Sequence, residues 1–159
     1  MELEDLFKPS KQKVDIEEAM KYVKNVHDER ILQRIASEAT YAKVRSAAIE
    51  NITSQAFLKD EALNSIDSGI IRAVFSKITD QAFLKEVVFS PSNWSVRPIL
   101  AVKNITDEVF LKDVALNHSN RDVRLAAVKN MTDVLFLKEL VTIAINGKLT
   151  VNASSKRKL

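Results

Sequence analysis

Apolar residues recur along this chain at fixed distances that are typical of short helices packed in series. The ten residues from Asn104 to Asp113, NITDEVFLKD, reappear with few changes at Asn51, Lys77 and Asn130. A weaker copy surrounds Asn25, so that equivalent positions lie 26, 26, 27 and 26 residues apart. A fixed period of this length indicates a repeat protein in which each unit packs on its neighbours.

Each repeat reads as two short helices. The segment DVRLAAVKN, from Asp122 to Asn130, has the apolar stripe of a first helix, and a second helix is predicted to start at Thr132. Hydroxyl groups there can accept from the free N–H groups of a helix start, and an Asp that follows favours the positive helix end. The Asn before each turn suits a left-handed helix end. The predicted capping residues are Thr53, Thr79, Thr106 and Thr132, with Asp80, Asp107 and Asp133 behind the last three.

Apolar columns in the second helices predict the core. Their offsets of one, four and five residues form one broad helix face. We expect the whole face to be buried, including a Phe column that is interpreted as core and not as a cofactor site. The columns are Val26, Ile52, Ile78, Ile105 and Met131; Ile31, Phe57, Phe83, Phe110 and Phe136; Leu32, Leu58, Leu84, Leu111 and Leu137; Ile35, Val87, Val114 and Leu140; and Ala36, Ala62, Val88, Ala115 and Val141.

The composition argues against several classes of protein, among them disulfide-linked, thiolate-metal and membrane-spanning proteins. Hydrophobic residues make up 46% and charged residues 28% of the 159, as in ordinary globular proteins, and there is no Cys for disulfides or thiolate metal sites. No apolar run approaches a membrane span of about 20 residues, and the start MELEDLFKPSKQK is unlike a signal peptide, so a cytoplasmic location is expected.

The sequence pI is near 9.1. Without Lys156, Arg157 and Lys158 the 24 basic residues become 21, equal to the 21 acidic ones. A neutral body argues against nucleic-acid binding, which remains the alternative function.

The pattern resembles HEAT-like repeats and is also similar to the short leucine-rich repeat variant. The resemblance lies in the Val-Arg pairs that open first helices, at Val44-Arg45, Val96-Arg97 and Val123-Arg124, and in the Leu-x-x-x-Ala of second helices. It implies an all-α fold, a right-handed α-solenoid of about five two-helix repeats of 26–27 residues. The expected division is a lead-in over residues 1–14, a HEAT-like domain over 15–146 and a tail over 147–159. The segment TIAINGKLTV fits either a helix with an Asn-Gly cap, which we favour, or a hairpin.

Residues that break the repeat are candidate functional residues. Trp94 is the one Trp of the sequence and is expected in a loop, either as a binding anchor or as a plug between repeats. Glu61 takes a position that is apolar elsewhere, so it should be exposed or paired, and it is a conceivable functional acid. His27 and His118 have no third metal ligand nearby. No catalytic motif, cofactor site or metal site is found, so no enzyme activity is expected.

The leading hypothesis is a non-enzymatic scaffold that binds another protein or a peptide along a concave face. In the second helices, one column is positive, the next is negative, and an apolar row follows four residues after the positive one. Exposed apolar surface of this kind indicates an interaction site, provided that the helices do not end before the row and bury it. The predicted partner-binding residues are Lys59, Leu63, Lys85, Phe89, Trp94, Lys112 and Leu116.

Overall fold

The computed structural model describes residues 1–9, 14–90 and 96–145 of the chain. In that part the chain forms a 3-10 helix, Leu3–Phe7, and ten α-helices, with no strand. The expected all-α class is confirmed. The helices are α1 (Ile16–Lys24), α2 (Glu29–Glu38), α3 (Ala42–Asn51), α4 (Gln55–Asn64), α5 (Ser68–Phe75), α6 (Gln81–Phe89), α7 (Val96–Val102), α8 (Glu108–Asn117), α9 (Arg121–Asn130) and α10 (Val134–Ile145).

The chain divides into two compact units, one over Met1–Phe83 and one that begins at Leu84. In the first unit the first helices of successive repeats pack on each other, α1 on α3 and α3 on α5, while α2 packs on α3 and α4 on α5. In the second unit α9 packs on both α7 and α8. Each first helix therefore contacts both helices of the repeat before it, wherever a preceding repeat lies in the same unit.

The core of each unit consists mainly of the predicted apolar columns. Ile52, Ile78 and Ile105 are almost fully buried, and so are Leu58, Leu84 and Leu111. Small residues such as Ala48 and Ala127 are fully buried in the first helices, where they permit close helix packing. The predicted core is confirmed for these residues. In α10 it is wrong, because Val141 is 57% exposed and Leu137 and Leu140 are only half-buried.

The Phe column is only half-buried, so its interpretation as interior core is wrong. The aromatic rings instead lie at the edge of the core, and three of the four lie beneath a lysine from the repeat before. The ammonium groups of Lys59, Lys85 and Lys112 lie 5.6, 5.3 and 5.0 Å from the ring centroids of Phe83, Phe110 and Phe136, respectively. The half-buried members are Phe57, Phe83, Phe110 and Phe136.

The second helices begin one residue later than predicted, which corrects the capping prediction. Asp107 accepts from the N–H groups of Val109 and Phe110 at 3.0 and 3.1 Å. Asp133 and Asp80 act in the same way, and in α4 this position is Ser54, which accepts from Phe57 N–H. A carboxylate can accept two N–H groups at once and also opposes the helix dipole, which explains why Asp takes the cap.

The Thr residues before these caps are bound by the preceding repeat. The Glu29 carboxylate accepts from the N–H groups of Thr53 and Ser54 at 3.1 and 2.9 Å, and Glu108 accepts from Thr132 N–H at 2.8 Å. Gln55 accepts from Thr79 N–H in the same register. The side chain of the first residue in a second helix thus accepts from backbone N–H groups in the turn before the next second helix. The sequence analysis did not predict these hydrogen bonds.

The repeated Asn does not adopt the predicted left-handed conformation. Asn25 has a φ of −96° and ψ of 0°, while Asn51 and Asn130 are the last residues of α3 and α9. Asn130 donates from its side-chain amide to the carbonyls of Val102 and Ile105, at 2.9 and 2.7 Å. Asn130 and Asn51 therefore join one repeat to the one before it, whereas Asn25 and Asn104 each donate to a carbonyl of the helix that they follow.

The ends of the described chain differ from the repeats. Leu6 is buried, its carbonyl accepts from Thr40 N–H, and Arg34 lies over the Phe7 ring, so the N-terminal residues pack on the first repeats. Pro98 lies in the first turn of α7, where its missing N–H group has no helical partner to lose. Helix α10 extends through Ile145, and the Asn146-Gly147 turn lies outside the described residues.

Candidate binding surfaces

The predicted apolar row is exposed in both units. Helices α4, α6 and α8 continue through it, so the alternative in which each helix ends before the row is wrong. The exposed fractions of Leu63, Phe89 and Leu116 are 49%, 48% and 41%. Whether these side chains contact a partner stays a prediction.

Phe89 is held in place by its neighbours although half of it is exposed. Its ring meets Phe110 edge-on, with centroids 5.8 Å apart, and lies 5.5 Å from the His118 ring. His118 is fixed in turn, because its Nε2 lies 3.0 Å from Val88 O and its Nδ1 accepts from Asn120 N–H at 3.1 Å. An acceptor at Nδ1 leaves the hydrogen on Nε2, so His118 donates to Val88. The exposed aromatic surface is thus rigid, which lowers the entropy cost of binding.

The predicted positive row is not a row of free charges. Lys85 Nζ lies 2.6 Å from Asp107 Oδ2 and Lys112 Nζ lies 2.6 Å from Asp133 Oδ2, while Lys59 is paired with Asp80. The lysine hydrogen bond is the main cause that lowers the pKa of Asp80, Asp107 and Asp133 below the ordinary value. These lysines join successive second helices, so their charges are compensated within the chain, and whether they contact a partner stays a prediction. Trp94 lies outside the described residues.

Glu61 is half-buried and hydrogen-bonded, in agreement with the expectation of an exposed or paired residue. The Ser37 hydroxyl donates to Glu61 Oε1 at 3.3 Å. Burial is the main cause that raises the pKa of Glu61. The Ser37 hydrogen bond and the Arg45 charge lower the pKa, and the Asp60 charge raises it, so that the net direction is upward. The carboxyl lines a cleft of about 330 Å³ in the first unit. The cleft residues are Ala36, Ser37, Arg45, Glu61, Asn64, Ser65, Ile66, Asp67 and Ile70.

Arg45 and Asp67 organise the wall of this cleft. Arg45 donates to Asp67 Oδ2 at 2.8 Å and to the carbonyls of Ala39 and Thr40 at 2.8 and 3.3 Å. Asp67 Oδ1 accepts from Gly69 and Ile70 N–H at the start of α5. The Val-Arg pair of the repeat explains the position of Arg45, but the sequence analysis did not associate it with Glu61. The sequence did contain one indication of this contact, because Asp67 follows Arg45 by 22 residues, a separation close to the length of one repeat.

Ile66 is a further exposed side chain that the sequence analysis missed. It lies in the connection from α4 to α5 with 80% of its surface exposed, beside the Glu61 cleft. Among the residues that the structure describes, no group of three His, Asp or Glu side chains is placed to hold a metal ion. In the same part of the chain, no helix has the length and apolar character of a membrane span.

Comparisons with protein-family models, with curated proteins and with solved structures find no match to this chain.

Proposed function

We propose that this chain is a HEAT-like α-solenoid that binds another protein or a peptide and has no catalytic role. The fixed period of the sequence supports the solenoid, together with the packing of first helices on one another inside each unit. The observation that carries the binding function is the exposure of Leu63, Phe89 and Leu116 at equivalent positions of three second helices.

Exposed apolar side chains of this size are unfavourably hydrated, and removing their surface from water contributes favourably to the free energy of binding a partner. About half of each of these side chains remains in contact with solvent, so a large part of their apolar surface is available to a partner. Phe89 offers the largest apolar surface of the three, on a ring whose orientation is fixed by Phe110 and His118. Rigid aromatic residues are frequent energetic centres of protein interfaces.

The ion pairs of the second helices favour a protein partner over nucleic acid. Lys59, Lys85 and Lys112 each have a carboxylate within hydrogen-bond distance, so their charges are compensated within the chain. Binding to phosphates would have to break these pairs, and the affinity gained by counterion release would be reduced accordingly. Nucleic-acid binding remains the second candidate because of the Lys and Arg residues near the C-terminus of the sequence.

The test compares variants that remove exposed apolar surface in different columns. Proteins captured on the immobilised chain are identified by mass spectrometry, purified and titrated against the wild type and against Phe89→Ser and Leu116→Ser. Val109→Ser is the matched control, because Val109 is 77% exposed on α8 but belongs to another column. A loss of affinity of about tenfold or more in both test variants, with the control unchanged, supports the proposal.

Two results would contradict it. Equal affinity of the folded Phe89→Ser and Leu116→Ser variants for the purified partner would place the contact elsewhere. Alternatively, binding of a DNA duplex that weakens steeply with salt, in the absence of any protein partner, would favour the nucleic-acid function. Circular dichroism of every variant checks that the helices are retained. Two test variants are used because Phe89→Ser also removes the ring contacts to Phe110 and His118.

A further inference from the structure

The Glu61 cleft combines an apolar floor with polar walls. Ala36 and Ile70 are each only 2% exposed and line it from α2 and α5, while Ile66 lies beside it with 80% of its surface in solvent. Ser37, Asn64 and Ser65 add polar groups to the lining. A guest in this cleft would therefore contact apolar surface along its length and meet polar groups elsewhere.

Among the described residues no cationic group forms an ion pair with Glu61, although the charge of Arg45 acts on it at longer range. Arg45 is engaged by Asp67 and by two carbonyls, and the hydrogen bond that Glu61 Oε1 accepts comes from a neutral hydroxyl. With Arg45 at +1 and Glu61 and Asp67 at −1 each, the lining has a formal charge of −1, and Asp60 adds another negative charge close by. The cleft consequently attracts cations and repels phosphates or carboxylates.

Packing does not explain a carboxylate at this position. The equivalent residues Ile35, Val87 and Val114 are 0%, 3% and 0% exposed in their own repeats, where they belong to the core. A half-buried carboxylate is costly unless a charged partner compensates it, and a neutral hydroxyl donor compensates only part of the cost. Glu61 is therefore expected to lower the stability of the free protein relative to an apolar residue at this position.

We propose that the Glu61 cleft receives the side chain of a lysine or arginine from a partner polypeptide, with the cationic head against the Glu61 carboxylate. The methylene stem of such a residue lies along Ile66 and Ile70, since long basic side chains bury their stems while the head stays polar. The inference rests on the proposed protein-binding function and adds the chemistry of one partner residue. Glu61 binds the cation, and Ser37 orients the carboxylate through its hydroxyl.

A divalent metal fits this cleft less well than an ammonium or guanidinium group. Ca²⁺ and Mg²⁺ take about six or more oxygen ligands, of which carboxylates are the strongest. Both oxygens of Asp67 are already engaged, Oδ1 by the start of α5 and Oδ2 by Arg45, so Glu61 is the carboxylate that remains available in the lining. One carboxylate and a few hydroxyl or amide groups suit a monovalent organic cation.

The test uses small probes, so that no partner has to be known. The ¹⁵N-labelled chain is titrated with Nα-acetyl-lysine methylamide and with Nα-acetyl-arginine methylamide, while backbone amide shifts are recorded. The matched probe is Nα,Nε-diacetyl-lysine methylamide, which has the same stem without the charge. We expect saturable shifts at the amides of Ser37, Glu61 and Ile66 with either cationic probe, and weaker binding by at least about tenfold with the neutral one.

Protein variants assign the effect to the carboxylate. Glu61→Gln keeps the size and removes the charge, and it is expected to reduce the affinity for the cationic probe to that of the neutral probe. Glu86→Gln is the matched control, because it removes one charge from an exposed position and should bind as the wild type does. The affinity should also increase with pH as Glu61 ionises, whereas in Glu61→Gln it should not change.

The outcomes separate this proposal from the general function. No saturable shift with either cationic probe, or equal affinity of wild type and Glu61→Gln, overturns the cleft proposal. If the Phe89→Ser and Leu116→Ser variants nevertheless lose a purified partner, the protein-binding function stands and only the cleft is wrong. Conversely, binding of the probe at Glu61 while both Ser variants keep their affinity for the partner would support the cleft proposal. That result would also show that the exposed apolar residues do not contact the partner.

Discussion

Lys85 reaches from α6 to the start of α8, where its ammonium group lies 2.6 Å from Asp107 Oδ2 and 5.3 Å from the centre of the Phe110 ring. Asp107 accepts at the same time from two backbone N–H groups of α8. The Asp107 carboxylate thus caps the N-terminus of α8 and also forms an ion pair with a lysine of the preceding repeat. Lys59 has the same relationship to Asp80 and Phe83, and Lys112 to Asp133 and Phe136.

These carboxylates predict a loss of stability in acid. The pKa of Asp80, Asp107 and Asp133 is lowered in the folded protein from an ordinary value of 3.8, chiefly by the lysine hydrogen bonds. A depressed folded pKa stabilises the protein above the unfolded value, and the contribution is lost as the pH falls through the folded pKa. The urea midpoint, followed by circular dichroism from about pH 6 to about pH 2, should therefore fall below pH 3.8.

A triple variant with Asn at these three positions tests the assignment, because Asn can still cap a helix but does not ionise. Its midpoint should lie below that of the wild type at neutral pH, and the difference should shrink in acid. The control variant carries Asp60→Asn, Glu86→Gln and Asp113→Asn, which remove the same number of charges from exposed positions. A constant difference between wild type and the test variant at every pH would contradict the prediction.

The half-buried Phe column predicts a specific order of destabilisation. Leu111 is 1% exposed, so Leu111→Ala should cost about 2–5 kcal/mol of unfolding free energy. Phe110→Ala should cost less, about 1–3 kcal/mol, because part of the ring remains in contact with water in the folded protein. Urea denaturation of both variants provides the measurement. A cost for Phe110→Ala equal to or above that for Leu111→Ala would mean that the ring belongs to the interior.

The sequence predicted the helix pairs and the core because both depend on periodicity. Leu58, Leu84 and Leu111 recur at the same position of three successive second helices, and all three are buried. The capping residues were assigned one position too early because Thr and Asp are adjacent and both can accept at a helix start. Only the observed hydrogen bonds distinguish Asp107 as the cap from Thr106 before it.

The contacts between repeats were not predictable in the same way. Lys85 and Asp107 are 22 residues apart, and their contact depends on the distance between successive second helices, which no local pattern specifies. The Lys column was consequently interpreted as free charge. The exposure of Phe89 was left open by the sequence, because it depends on where α6 ends as well as on the rotation of the helix about its own axis. The Glu61 cleft was missed because its residues come from α2, α3, α4, α5 and the connection between the last two helices.

Asn130 predicts how much one side-chain amide contributes to the junction between two repeats. Its amide donates to the carbonyls of Val102 and Ile105, so Asn130→Ala leaves both without this donor and should cost about 1–3 kcal/mol. Asn130→Asp should destabilise at least as much at neutral pH, since a carboxylate oxygen would face two carbonyl oxygens. Asn117→Ala is the control, because Asn117 is exposed and bonds to Asp113 of its own helix. Equal unfolding free energies for the Ala variants would contradict this role.

Glu61 predicts a stability change of the opposite sign to that of the paired Asp residues. Burial raises the pKa of Glu61 above its ordinary value of 4.5, so the unfolded chain ionises first as the pH increases. The folded state is therefore favoured below pH 4.5, and this advantage is lost as the pH rises through the raised folded pKa. Glu61→Val, which restores the residue type of Val87 and Val114, should increase the urea midpoint at neutral pH and change it less near pH 4. Glu86→Val, at an exposed position, should show no such pH dependence. A Glu61→Val protein that is less stable than the wild type at neutral pH would show that the carboxylate stabilises the free chain, and would remove the reason to expect a cationic guest.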